Sequence, residues 1–198
     1  SCNPGFVDIG LKLGKQRFFE YVNRFGFGVK SGIDLLGEST GIIFNPQKIG
    51  NIELATSAFG QGISVTPIQL VNASCAAVNG GILHQPTILK GIASTYTNNI
   101  IYQTNPIVIR RVISEETSKT MAMALEHVVS LGTARSSYLE GYRVGGKTGT
   151  AQIAQDGVYS DNRYILSFLG IAPMNNPKLA VYIAIENPKN TIQYGGVV

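Results

Sequence analysis

Val144-Gly-Gly-Lys-Thr-Gly-Thr-Ala-Gln-Ile-Ala154 is the stretch on which the fold turns. Joined to Gly141-Tyr-Arg, it spells G-x-x-x-x-G-K-T, the phosphate-cradling loop of nucleotide-binding proteins. That loop works where an apolar strand ends before the first glycine and a helix starts right after the lysine, so that free amides meet phosphate. Here Ser136–Glu140 is polar, and Thr148-Gly149-Thr150 is a poor helix start. A β-rich pattern runs on through the lysine instead. The stretch therefore reads as a strand over 144–154, with further strands over 165–171 and 179–185. A turn beginning at Gln155-Asp156-Gly157, with a loop to Arg163, joins the first two. Residues 172–178, with Pro173 and Pro177, join the last two. Short links imply antiparallel pairing. Helical patterns dominate upstream, so the class is α+β and not a doubly wound parallel sheet.

Working outward, Pro4–Leu13 reads as a helix closed by Gly14, and a second helix follows with Phe18, Val22 and Phe25 on one face. Residues 26–44 alternate glycine with apolar and polar residues and predict a loop with a small β-hairpin. Asn51–Ala58 predicts a short helix. Thr66-Pro67 opens another, with Thr as cap and Pro at the first helical position. Its expected buried face is Ile68, Val71, Cys75 and Val78. Residues 82–113 suggest short peripheral strands near 100–103 and 107–112. A helix starting at Ser114-Glu115-Glu116 follows, with acids at its positive end. Met121, Leu125, Val128 and Val129 are expected to face the core, with Glu126 and His127 on the surface.

Composition excludes several classes. Of 198 residues, 44% are hydrophobic and 14% charged, which is enough apolar surface to fold. The net charge of +4 is split evenly between the halves, without a Lys/Arg run, so the footprint of a nucleic-acid binder is missing. No apolar run approaches the roughly 20 residues that span a bilayer. Cys2 and Cys75 have no metal-ligand spacing, and His84 and His127 stand alone, so no metal or other cofactor is implied.

Two catalytic spellings compete with the lysine strand. Gly37-Glu-Ser-Thr-Gly41 matches a nucleophile elbow, but a strand and Pro46 follow it where a helix is needed, and no acid-then-His order completes a triad. The strand reading of Lys147-Thr148-Gly149 is K-T-G. Gly145 and Gly146 would leave one strand face bare for close approach of a ligand. Such an edge suits an extended peptide added as a strand, with Lys and Thr taking a carboxylate. The K-T-G reading asks for S-x-x-K and S-x-N partners. Ser160-Asp161-Asn162 is one S-x-N candidate but follows the lysine. Ser1-Cys2-Asn3 precedes it and opens a helix.

Ser1-Cys-Asn-Pro-Gly-Phe-Val7, Phe25-Gly-Phe-Gly28 with Gly32-Ile-Asp-Leu35, Phe59-Gly-Gln-Gly62-Ile-Ser-Val-Thr-Pro-Ile-Gln69, Ala77-Val-Asn-Gly-Gly81 and Val144-Gly-Gly-Lys-Thr-Gly-Thr-Ala-Gln152 together resemble class B penicillin-binding proteins, in consistent order along nearly the whole chain. Val112-Ile-Ser-Glu-Glu-Thr-Ser118 resembles the sporulation branch of that family. The resemblance implies a β-lactamase/transpeptidase-like antiparallel sheet with flanking helices. It also implies a D,D-transpeptidase that cross-links peptidoglycan stem peptides ending in D-Ala-D-Ala through an acyl-enzyme and is acylated by β-lactams. A membrane-anchored parent at the extracytoplasmic face, working with a glycosyltransferase, is implied as well.

By motif match, Ser1 belongs to the proton relay, Asn3 holds the substrate amide and the catalytic lysine, and Lys147 supplies positive charge. Thr148 and Thr150 receive a carboxylate across Gly149, and the Thr150 amide is an oxyanion donor. Gln61 and Gln152 line the cleft. One departure stands out: no Ser lies three residues before any Lys. With the chain starting at Ser1 and ending on Gly195-Gly196-Val197-Val198, the expectation is the C-terminal portion of one transpeptidase domain over 1–198. The N-terminal part and terminal helix would be absent, and the portion inactive alone and free of membrane contact. A nucleotide-binding module on Gly141–Thr148, or a non-catalytic structural relative, are the alternatives. Magnesium-dependent ATP binding lost in Lys147→Ala would mark the former.

Overall fold

The computed structural model describes residues 2–155 and 158–189. Ser1, Asp156 and Gly157 thus lie outside the described residues, as does everything after residue 189. Five α-helices are present among them: α1 (Asn3–Leu13), α2 (Lys15–Arg24), α3 (Asn51–Ala58), α4 (Pro67–Val78) and α5 (Glu115–Ser130). Seven strands form three antiparallel sheets. Strands β1 (Ile82–His84) and β4 (Val108–Arg111) pair, as do β2 (Gly91–Ala93) and β3 (Ile100–Gln103). The main sheet has the order β5 (Gly145–Gln155), β6 (Val158–Ala172), β7 (Leu179–Glu186). This is the expected α+β meander. Strand β6 begins at Val158, so pairing resumes sooner than a loop to Arg163 would allow, and Ser160-Asp161-Asn162 falls within that strand.

One face of the main sheet packs on α4 and α5. Leu169 and Ile171 of β6 meet Val78 and Met174 there, with Ala122 and Leu125 of α5 against them. Along β7, Ala180 and Tyr182 turn to this core, whereas Leu179, Val181 and Ile183 point to the opposite, exposed face. The alternation follows from the two-residue period of a strand. A second cluster, Phe19, Ile49 and Leu54, seats α2 and α3, and a third, Ala76, Leu83 and Val112, joins α4 to the β1–β4 ribbon.

The α4 face differs from the expected one. Gln69, Ala73, Ala76 and Val78 are buried, while Ile68, Val71 and Cys75 are only partly so. Alanines let neighbouring backbone approach closely, and Gln69 is satisfied rather than stranded. Its side-chain oxygen accepts from the Thr66 amide at 3.0 Å, and its nitrogen donates to the Val29 and Thr40 carbonyls at 2.7 and 2.9 Å. A capped helix thereby also holds the glycine-rich loop. That loop forms no hairpin, only an isolated bridge between Ile42 and Ser64. Its polar groups go elsewhere: Glu38 accepts from the Ser31 and Gly32 amides at 2.6 and 3.1 Å. On α5, Ser118, Ala122, Leu125 and Val129 make the inward stripe, and Met121 is exposed.

Candidate active site

The K-T-G strand lies at the edge of the main sheet. Strand β5 continues through Lys147 to Gln155, paired with β6 from Gly145 opposite Ile171 onward. No helix begins after the lysine, which removes the geometry a phosphate loop requires. Facing this edge is a cleft of about 730 Å³ lined by Cys2, Asn3, Pro4 and Phe6 of the first segment, Ala58, Phe59 and Gln61 after α3, and Lys147–Thr150. Of the expected site residues, Asn3, Gln61, Lys147, Thr148, Gly149 and Thr150 come together there. Gln152 stands further along β5, opposite Tyr164, and does not line the cleft. Ser1 lies outside the described residues.

Each wall has a local cause. Asn3 is the first residue of α1, with Pro4 suited to the first turn because it lacks an amide donor that would go unused. Helix α1 rests on α3 through Gly10: a Cβ there would sit 2.6 Å from the Ala58 Cβ, so only glycine permits this crossing. Gln61 is presented by a turn in which its amide donates to the Thr56 carbonyl at 2.9 Å and that of Gly60 to Ser57 at 3.0 Å.

The glycines of β5 do something other than leave space for a ligand. A Cβ on Gly145 would lie 2.5 Å from the Met174 sulfur, and one on Gly146 would lie 2.6 Å from the Phe168 ring. These glycines make room for the protein's own side chains, which brace the strand from behind its open edge. Gly149 likewise leaves room for the Ser167 hydroxyl.

Lys147 is half-buried, and its ammonium donates to the Thr148 carbonyl at 2.7 Å. Burial pushes its pKa below the ordinary lysine value, because the charged form loses hydration. Among the described residues no carboxylate lies within ion-pair distance of it. An anion entering the cleft would therefore find a cation short of partners. The Thr133 hydroxyl stands 3.4 Å from that of Thr148. Glu126, expected on the surface, takes two 2.7 Å hydrogen bonds from Arg143 and so ties α5 to the approach to β5. Neither Thr133 nor this pair belongs to a motif; only their distance from one another in the fold reveals them.

The penicillin binding protein transpeptidase domain family matches residues 1–198. Stage V sporulation protein D of Bacillus subtilis is 56% identical over 198 residues, covering 100% of this chain and 31% of that protein. Penicillin-binding protein PbpB of Mycobacterium tuberculosis is 31% identical over 197 residues, covering 95% of this chain and 29% of that one. The chain thus spans about a third of the length of such relatives. Penicillin binding protein 3 of M. tuberculosis, in a crystal structure with aztreonam, superposes with a TM-score of 0.86 at 30% identity, over 95% of this chain and 44% of that one. The transpeptidase domain of penicillin-binding protein 3 from Burkholderia pseudomallei gives 0.83 at 31% identity, over 98% of this chain and 56% of that one. Sequence match along the full chain and the shared arrangement of sheet and helices agree: the chain belongs to the penicillin-binding protein transpeptidase domain family.

Proposed function

We propose that this chain is the C-terminal portion of a peptidoglycan D,D-transpeptidase domain and supplies the part of the site that recognises the carboxylate end of the donor peptide. The observation that carries this reading is Lys147: a half-buried cation without a carboxylate partner among the described residues, on an open strand edge beside Thr148, in a cleft also lined by Asn3. A peptide ending in D-Ala-D-Ala adds along β5 as an extended strand, its carboxylate received by Thr148 and Thr150 with Lys147 behind them. The Thr150 amide is one oxyanion donor, a contact commonly worth about 2.7–4 kcal/mol. Asn3 holds the peptide amide, Gln61 closes the cleft, and Ser1 belongs to the proton relay.

The reaction is acyl transfer in two halves. A serine oxygen attacks the penultimate D-Ala carbonyl and terminal D-Ala leaves with a proton; an acceptor amine then attacks the ester and releases the serine. β-Lactams acylate the same serine. That nucleophile comes from an S-x-x-K motif, which this sequence does not contain. We place the parent protein at the extracytoplasmic face of the cell membrane, alongside a glycosyltransferase. Intact mass spectrometry after incubation with penicillin tests the reading: the full-length protein gains one adduct and these 198 residues alone gain none. A stoichiometric adduct on the isolated chain would overturn the motif assignment. Failure of the full-length protein to acylate would overturn the activity.

A further inference from the structure

The site lysine is reached through a stretch with no apolar anchor. From residue 135 to residue 144 nothing is buried, and Tyr138, Leu139 and Tyr142 are all exposed. At Gly145 the chain becomes buried and β5 begins. A segment that buries no apolar surface opens at little cost, so packing of the lead-in itself cannot set the angle at which this strand enters the sheet. Contacts to Arg143 set it instead, from two sides. On one side is α5. Arg143 Nε and Nη2 donate to the two carboxylate oxygens of Glu126, each at 2.7 Å. Such a fork fixes the orientation of the guanidinium, where a single contact would let it pivot. Leu125, next to Glu126, packs with Ala122 on the sheet core, so the carboxylate stands on a fixed support.

On the other side is the turn between β6 and β7. The Arg143 carbonyl accepts from the Met174 amide at 2.8 Å. Met174 is buried, and its sulfur fills the space that a Cβ on Gly145 would claim. Gly145 and Lys147 lie on one face of the strand, opposite Ile171 and Leu169. Arg143 thus joins a helix, a turn and the first residues of the strand, just ahead of the lysine. Ordinary exposed ion pairs add little, and Lys12–Asp8 and Lys119–Glu115 only join a helix to itself. Glu126 and Arg143 differ from these in three ways. They stand 17 residues apart on different elements, both carboxylate oxygens are used, and the Glu126 side chain is only 22% exposed.

We propose that Glu126 and Arg143 are positioning residues for the K-T-G edge: their fork sets the angle of β5 at its start, and with it the placing of Lys147 and Thr148 toward a carboxylate. Neither residue lines the cleft. The proposal rests on the carboxylate-receiving role proposed for Thr148 and Thr150. In the full-length protein, stopped-flow acylation by penicillin and by its methyl ester is compared in Arg143→Met, Glu126→Gln and the double variant. Each single variant should slow acylation by penicillin about fivefold. The double variant should lose no more than either single one, because the fork is already broken. The methyl ester has no carboxylate for the threonines to receive, so its rate should match that of wild type. Wild-type rates with penicillin, additive losses, or equal slowing of both compounds would overturn the proposal, the last by reducing the pair to a general structural role. Hydrogen exchange read by mass spectrometry decides independently of activity. The amides of residues 145–150 should exchange faster in each variant, and those of β7 should not; unchanged exchange over 145–150 would overturn the proposal. A wild type that reacts with no β-lactam would overturn the transpeptidase reading, and the exchange result would still decide this one.

Discussion

The hydroxyl oxygens of Thr133 and Thr148 lie 3.4 Å apart, so the residue that leaves α5 touches the residue that follows the site lysine. Thr133 is itself exposed, but the backbone beside it is fixed. Its neighbour Ala134 is 1% exposed and donates its amide to the Val128 carbonyl at 3.1 Å. Thr133 therefore acts as a positioning residue for the Thr148 hydroxyl. In the full-length protein, Thr133→Val should slow β-lactam acylation about fivefold, the effect of losing roughly one hydrogen bond. Thr133→Ser should restore most of the rate. Equal rates for Val and wild type, by stopped-flow measurement, would refute the coupling.

Lys147 should carry a stability cost that depends on pH. Burial lowers its folded pKa below its unfolded value, so between the two the unfolded chain binds more protons. Stability then rises as pH climbs through the lowered folded value toward the ordinary lysine value. Lys147→Met keeps the aliphatic stem and removes the charge. It should be at least as stable as wild type at neutral pH, with the gap closing near the ordinary lysine pKa of about 10.4. Urea titrations at the two pH values check this, and a Met variant clearly weaker at neutral pH would contradict it.

Ser118 should be among the costliest polar residues to remove. It is 1% exposed, donates to the Ala77 carbonyl at 2.9 Å and accepts from the Gly80 amide at 3.0 Å. Ser118→Ala leaves both partners unsatisfied in the seam between α4 and α5. A loss of about 1–3 kcal/mol is expected from chemical denaturation, because buried polar groups without partners carry their desolvation penalty.

Asp34 should titrate below the ordinary carboxylate range. The Ile88 and Leu89 amides favour its charged form. Its contribution is present above the ordinary Asp pKa of about 3.9 and is lost as pH falls through the lowered value. The amide proton shifts of Ile88 and Leu89, followed by NMR, should move with a midpoint below that value. Asp34→Asn should flatten both curves, and a midpoint above the ordinary value would rule the clamp out.

The main sheet was legible because its signals are local: glycine and proline turns separate three strands, and short links leave only antiparallel pairing. Helix α4 was legible from its cap, Thr66, and the proline that follows it. Burial on α4 was not, because apolar periodicity favours Ile68, Val71 and Cys75, while packing selected the alanines and a glutamine whose partners lie in a distant loop. The same limit hid Thr133 and the Glu126–Arg143 pair, both of which depend on where α5 ends relative to β5. Gly145 and Gly146 were read as leaving room for a ligand, whereas the space is taken by Met174 and Phe168, which come from beyond the strand.

Gly10 against Ala58 has a thermodynamic corollary. The cleft's two walls come from distant parts of the sequence, and α1, in the near wall, rests on α3 at that crossing. Any ligand that spans Asn3 and Thr148 selects only molecules in which the crossing is made. Occupancy is then linked by mass action to the docking of α1, and saturation at a hundred times the dissociation constant adds about 2.7 kcal/mol to that docking. Melting temperature becomes a gauge of occupancy, and Gly10→Ala, which pries α1 away from Ala58 in the cleft wall, should weaken ligand binding.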